Sequence, residues 1–130
     1  MEHPVLFSLY LPLAPSKPRE VKLVPIRTDR DYHQINMTWN APEYPNGISE
    51  LFQYQIQKCS NGICKRSFPF TMIHSLKSPS SRSFLIGGSY GGGRLDAYTE
   101  YSVSVREQTC GGCWGDYSDK VTKMTLSGSK

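Results

Sequence analysis

The stretch from Tyr101 to Arg106 constrains this chain more than any other. Tyr101, Val103 and Val105 alternate with Ser102, Ser104 and Arg106, the period of two expected of an antiparallel strand with one face in a core and the other wet. The strand follows Leu95-Asp96-Ala97-Tyr98-Thr99-Glu100 and runs on to a turn-rich tip, Cys110-Gly111-Gly112-Cys113-Trp114-Gly115-Asp116-Tyr117. A corner, a long strand and a loop therefore succeed one another, and the rest of the chain is placed against them.

The same period recurs upstream. A strand is expected from Val21 to Ile26, where Pro25 marks a sheet edge because proline has no N–H to give to a ladder. Ile35, Met37 and Trp39 alternate through Gln34 to Trp39, and Phe52, Tyr54 and Ile56 through Phe52 to Cys59. Phe68, Phe70 and Met72 alternate on the return, Phe84 to Ile86 makes a short strand, and Lys120 to Leu126 the last one. Turn chemistry fills Asn40 to Gly47, the run from Ser75 to Ser83 and the glycine-rich Gly87 to Gly93. Short strands at this spacing predict an all-β sandwich. Its expected core is Leu23, Ile35, Met37, Trp39, Tyr54, Ile56, Leu95, Tyr101, Val103 and Val105, with Trp39, Tyr54, Leu95 and Tyr101 as structural centre.

With 130 residues the chain can bury one real core without covalent staples, and one domain is expected. That domain spans 15–127, with 1–14 as an extension or linker and 128–130 as a tail. Val5 to Leu11 is apolar but too short to cross a membrane, and Glu2 and His3 stand where a signal peptide wants basic charge. It reads as a linker continued by Pro12, Pro15 and Pro18, or as an extra strand on a sheet edge. The net charge of +4 comes from basic residues scattered among acids, which describes a solvated mixed surface and not a nucleic-acid or membrane footprint.

Four cysteines fall into two local pairs. In Cys59-Ser60-Asn61-Gly62-Ile63-Cys64 the central Asn-Gly is the preferred pair for a type I′ hairpin turn. Ser60 then faces Ile63, and Cys59 faces Cys64 in a non-hydrogen-bonded pair, close enough for a cross-strand disulfide. Cys110 and Cys113 suit a small loop disulfide. A thioredoxin-like role would need a helix after the first cysteine, and no helical pattern follows. Cys59 and Cys110 end strands at opposite poles, separated by roughly 30 Å, so joint zinc binding through metal–sulfur bonds of about 2.3 Å is not expected.

Leu95-Asp96-Ala97-Tyr98-Thr99-Glu100-Tyr101 resembles the Leu-x-Pro-x-Thr-x-Tyr corner of fibronectin type III domains, with Ala97 in place of the family's proline. Trp39-Asn40-Ala41-Pro42 followed by Asn46-Gly47 resembles their Trp-x-x-Pro…Asn-Gly pattern. Val105-Arg106 with Gly115-Asp116-Tyr117-Ser118 is similar to the sixth and seventh strand region of those domains in the ectodomains of receptor tyrosine kinases of the ephrin-receptor type and of receptor tyrosine phosphatases. The Cys-Gly-Gly-Cys insertion departs from the family, as does the long gap from Ile48 to Tyr54. Trp114-Gly115-Asp116-Tyr117-Ser118 is less closely similar to the Trp-Ser-x-Trp-Ser box of cytokine receptors. The resemblance implies a seven-stranded immunoglobulin-like antiparallel β-sandwich, and an extracellular recognition or spacer module in place of a catalyst.

No catalytic, metal-binding or cofactor-binding residue is expected. His3, His33 and His74 accompany no nucleophile motif, and His33, beside Asp29, Arg30 and Asp31, reads as a solvated loop histidine. The glycine-rich run lacks the Gly-Lys-Ser/Thr ending and the helix of a phosphate loop. The expected partners are an extracellular protein and the neighbouring domains of a parent chain, without nucleic acid and without membrane insertion of this segment. The loops at Asn40 to Ile48 and Cys110 to Tyr117 leave the same pole, where Tyr44, Trp114 and Tyr117 are the candidate binding residues. The alternative folds Trp114 back over the sandwich and makes the module a spacer; a further one makes the chain part of a receptor-type enzyme whose catalytic domain lies elsewhere. Asn36-Met37-Thr38 is an N-glycosylation sequon with Asn36 and Thr38 on the outward face. Together with the disulfides it predicts an extracellular or cell-surface location, in a secreted or single-pass membrane protein.

Overall fold

A computed structural model describes residues 14–30, 32–65, 71–76, 82–87, 95–110 and 112–127. Within them run β1 (Arg19–Arg27), β2 (His33–Asn40), β3 (Leu51–Ser60), β4 (Ile63–Lys65), β5 (Thr71–Ser75), β6 (Ser83–Ile86), β7 (Glu100–Gln108) and β8 (Val121–Met124). One sheet has the order β1-β2-β6; the other has β4-β3-β7-β8, with β5 also on β3. β7 lies along β3 from Leu51 to Cys59, so β4 and β5 share the other edge of β3 and fill one strand position between them. Eight strands thus occupy seven positions, all antiparallel. The expected roles of Val5 to Leu11, Phe68, Phe70, the Met72 side chain and the glycine run after Gly87 fall outside the described residues.

Strand parity decides what meets between the sheets. Leu23, Ile35, Met37 and Trp39 face Tyr54, Ile56, Tyr101, Val103 and Val105, none more than 6% exposed. Phe52, Leu76, Ile86 and Leu95 complete the cluster. Pro25 sits on the edge strand β1 opposite Ile35, where its missing N–H costs no ladder bond to a further strand. At the corner before β7 the Tyr101 hydroxyl accepts the Asp96 N–H at 2.8 Å. Burial pushes that hydroxyl's pKa up, and the Asp96 backbone bond works against the shift.

Two sequence expectations need correction. Ser102 and Ser104, assigned to a wet face, are buried. The serines are small, and the register sets the longer Gln55 and Gln57 of β3 opposite Ser104 and Ser102, with Thr122 of β8 on the other side of Ser102. His33, expected in a solvated turn, is the first residue of β2 and 4% exposed, bridged to Leu95. It has the parity of Ile35, Met37 and Trp39, so the inward pattern begins one step earlier than Ile35.

Candidate functional site

β2 ends at Asn40, β3 begins at Leu51 and β7 ends at Gln108, which brings the loops 41–50 and 109–120 to one pole. Residues 14–18 thread between these loops. The Ser16 N–H donates to the Tyr44 carbonyl and the Tyr44 N–H to Ser16 Oγ, each at 3.0 Å, while Asn46 Nδ2 donates to the Ala14 carbonyl at 2.9 Å. Pro15 and Pro18 are buried, so this segment, whose prolines suggested an extended linker, is docked on the loops of the pole. Gly115 lies against Pro15 so closely that a Cβ there would be driven into the Pro15 carbonyl. Asn46 and Gly47 both adopt positive φ, and Gly47 abuts Thr109, where a Cβ would come within 3.3 Å of Thr109 Cβ. The backbone of 41–50 is thus held from both sides, while Tyr44 and Ile48 stand 63% and 79% exposed.

Beneath this pole lies a group that the sequence reading did not pick out. Glu107 has the parity of Tyr101, Val103 and Val105, and its carboxylate is fully buried between the sheets. It accepts from Trp39 Nε1 at 2.7 Å, Ser49 Oγ at 2.6 Å, and Arg82 Nε and Nη2 at 2.6 and 3.2 Å. Four donors around one carboxylate, one pair of them from a guanidinium, meet the condition for holding a charge out of water. The available signal was the alternation itself, carried two residues beyond Val105.

Trp114 does not stand free at the tip. The chain turns back on itself through Cys110–Cys113, Trp114 bridges Gln108, and the Gly115 N–H donates to the Glu107 carbonyl at 3.0 Å. An antiparallel bridge puts the Trp114 and Gln108 side chains on one face, the outer face that also carries Arg106. There the Arg106 guanidinium lies 4.6 Å from the Trp114 ring centroid and 4.8 Å from that of Tyr117, and its Nε donates to Gln53 Oε1 at 2.8 Å. Both aromatics are half-buried. Burial pushes the Tyr117 hydroxyl pKa up, opposed by Arg106 and by hydrogen bonding to Arg106 and Gln55. Of the three candidate binding aromatics, Tyr44 alone is exposed, and Ile48, which the sequence reading passed over, is exposed on the same loop.

The cysteines form two bridges. Cys59 and Cys64 are joined with Cα atoms 3.8 Å apart, flanking a turn in which Asn61 and Gly62 both have positive φ. Cys110 and Cys113 are joined with Cα atoms 5.0 Å apart. Cys59 lies opposite Glu100 at the start of β7 and Cys110 beyond its end, so the bridges brace opposite poles. Near the first is an open groove of about 700 Å³, lined in part by Ile63, Lys65, Tyr98 and Met124. Asn36 and Thr38 lie on the outward side of β2.

No protein-family model matches the chain, and no curated protein sequence matches it. Among solved structures it is similar to the crystal structure of the rat CD45 extracellular region, domains d3-d4, with a TM-score of 0.54 and 22% identity, over 86% of this chain and 50% of that one. This chain therefore spans about half the length of that structure. Two antiparallel sheets in seven strand positions, closed by a tyrosine corner, give the chain an immunoglobulin-like β-sandwich of the fibronectin type III kind.

Proposed function

We propose that the chain is a non-catalytic, extracellular protein-contact module of a larger cell-surface receptor, and that it meets its partner through Tyr44 and Ile48. One observation carries this reading: two large apolar side chains are exposed on a loop whose backbone is fixed by bonds to Ala14, Ser16 and Gln108. A loop ordered beforehand loses little conformational entropy on binding, and exposed aromatic and aliphatic groups become anchors once desolvated. The likeness to the rat CD45 extracellular region and the two disulfides support the extracellular setting. Trp114 and Tyr117 then act through Arg106 as a brace and not as the anchor. The finer resemblance to receptor tyrosine kinases of the ephrin-receptor type and receptor tyrosine phosphatases, the domain bounds 15–127, and contact with neighbouring domains of a parent chain belong to this same proposal.

A spacer role is the second reading, favoured by the folding back of Trp114 onto Arg106. The two separate in a binding screen against displayed cell-surface ectodomains. Replacing Tyr44 and Ile48 together by serine should weaken a captured ectodomain by about 30-fold or more, the hot-spot threshold of about 2 kcal/mol, with an unchanged thermal midpoint. A partner whose affinity survives that double change, because it sits in the groove near Ile63 and Tyr98, refutes the assignment of the pole. A screen with no specific binder favours the spacer.

A further inference from the structure

We infer that Asn36 carries an N-linked glycan whose first sugars cover the outer face of the three-stranded sheet. β2 is the middle strand of that sheet. Ile35, Met37 and Trp39 point into the core, so Asn36 and Thr38, the two residues that a sequon must present together, point out of it on one face. The register sets Val24 opposite Asn36 on one side and Leu85 opposite it on the other. Val24 is 54% and Leu85 38% exposed. Neighbouring strands lie about 5 Å apart, so the two aliphatic side chains flank the asparagine as a strip across the sheet, with the half-buried Ile26 one step along β1.

The arrangement selects its occupant. A protein docking on Val24 and Leu85 would have to bury the Asn36 amide at the centre of its footprint, and that amide makes no hydrogen bond among the described residues. Removing it from water without a partner would cost binding energy. A glycan removes the conflict, because it is attached through that same amide and lays the C–H faces of its sugars over the flanking aliphatics while its hydroxyls stay in water. In the attachment step Asn36 Nδ2 attacks the anomeric carbon of a lipid diphosphate-linked oligosaccharide. The N–C bond forms as the C–O bond to the diphosphate breaks; the lipid diphosphate leaves with the electron pair, and the proton lost from Nδ2 goes to solvent. The inference rests on the extracellular part of the proposed function and is independent of the contact pole.

The test is to secrete the chain from cultured animal cells behind an appended signal sequence and digest it with an N-glycosidase. Conversion of Asn36 to Asp, read by peptide mass, is expected; Thr38→Ala should abolish it and Thr38→Ser should retain it. Removal of the glycan should raise binding of an apolar-surface dye, and Val24→Ser with Leu85→Ser should cancel the rise. A secreted, disulfide-bonded chain with a bare Asn36 overturns the inference and leaves the proposed function standing, whereas a chain that cannot be secreted overturns both. Complete glycosylation with no change in dye binding overturns the covering of the sheet.

Discussion

Replacing Glu107 by alanine should be among the most damaging single substitutions in this protein. The carboxylate is fully buried, and the Arg82 side chain that it pairs with is 11% exposed. Deleting it takes from a mostly buried guanidinium the carboxylate that it pairs with, and breaking such a pair costs about 3–5 kcal/mol. It also leaves the Trp39 indole N–H and the Ser49 hydroxyl without their acceptor, and an unsatisfied buried donor costs about 1–3 kcal/mol unless water enters. The expected loss is therefore at least about 4 kcal/mol, a large share of the 5–15 kcal/mol typical of a whole domain. Urea unfolding at neutral pH, followed by tryptophan fluorescence, measures it. The double variant Glu107→Leu with Arg82→Met leaves no buried charge and should be more stable than Glu107→Ala alone. A loss below about 1 kcal/mol for Glu107→Ala, or a double variant no better than the single one, would refute the account of a buried ion pair linking the sheets.

His74 stacks on Tyr54 and Phe52 and packs at a tilt against Phe84, with its Nε2 buried and unbonded among the described residues. Burial lowers its pKa below the ordinary value near 6.5. The unfolded chain therefore takes up the proton first, so stability is full above that value and falls as pH drops below it; His74→Phe should flatten the decline, and equal slopes in both proteins would count against it. Replacing Cys59 and Cys64 by serine should cost about 2 kcal/mol, the loop-closure figure for so short a loop, and non-reducing peptide mapping should find Cys59 joined to Cys64 and to no other cysteine. Trp114→Ala should cost about 1–2 kcal/mol through the lost stack on Arg106, and an unchanged midpoint would show that the stack does not hold in solution.

Strand parity made most of the fold legible because it reports a physical periodicity. Inward residues of β1, β2, β3 and β7 could be named from alternation, and the Asn61-Gly62 turn followed from its need for positive φ at two successive positions. What escaped was whatever parity assigned correctly but residue type disguised. Glu107 and His33 have inward parity, yet the alternation was not carried on to a carboxylate, and the imidazole was read as a solvated loop group. Their burial depends on partners far away in sequence, such as Arg82, whose approach no local pattern encodes. Ser102 and Ser104 show the converse, since their outward parity holds and their neighbours bury them all the same. For Trp114 the sequence left two readings open, a projecting anchor and a residue folded back over the sandwich; the hairpin closed by Cys110 and Cys113 reverses the chain within a few residues and lays Trp114 back along β7.

The position of Glu107 links the core to the pole above it. A buried ion pair is weak support for stability, because the desolvation of both charges offsets much of their attraction. A well-packed aliphatic pair would fill the same space, but it would not fix the direction of a hydroxyl. Glu107 accepts from Ser49, the residue after the exposed Ile48; its own carbonyl takes the Gly115 N–H, and the next carbonyl, on Gln108, takes the Glu50 N–H. The end of β7 therefore sets the 41–50 loop from below, while Ala14 and Ser16 set it from the side. A side chain can stay exposed at 79% on an ordered backbone only if something other than its own burial does the ordering. At Ile48 that is a buried carboxylate, whose hydrogen bonds are directional where apolar packing is not.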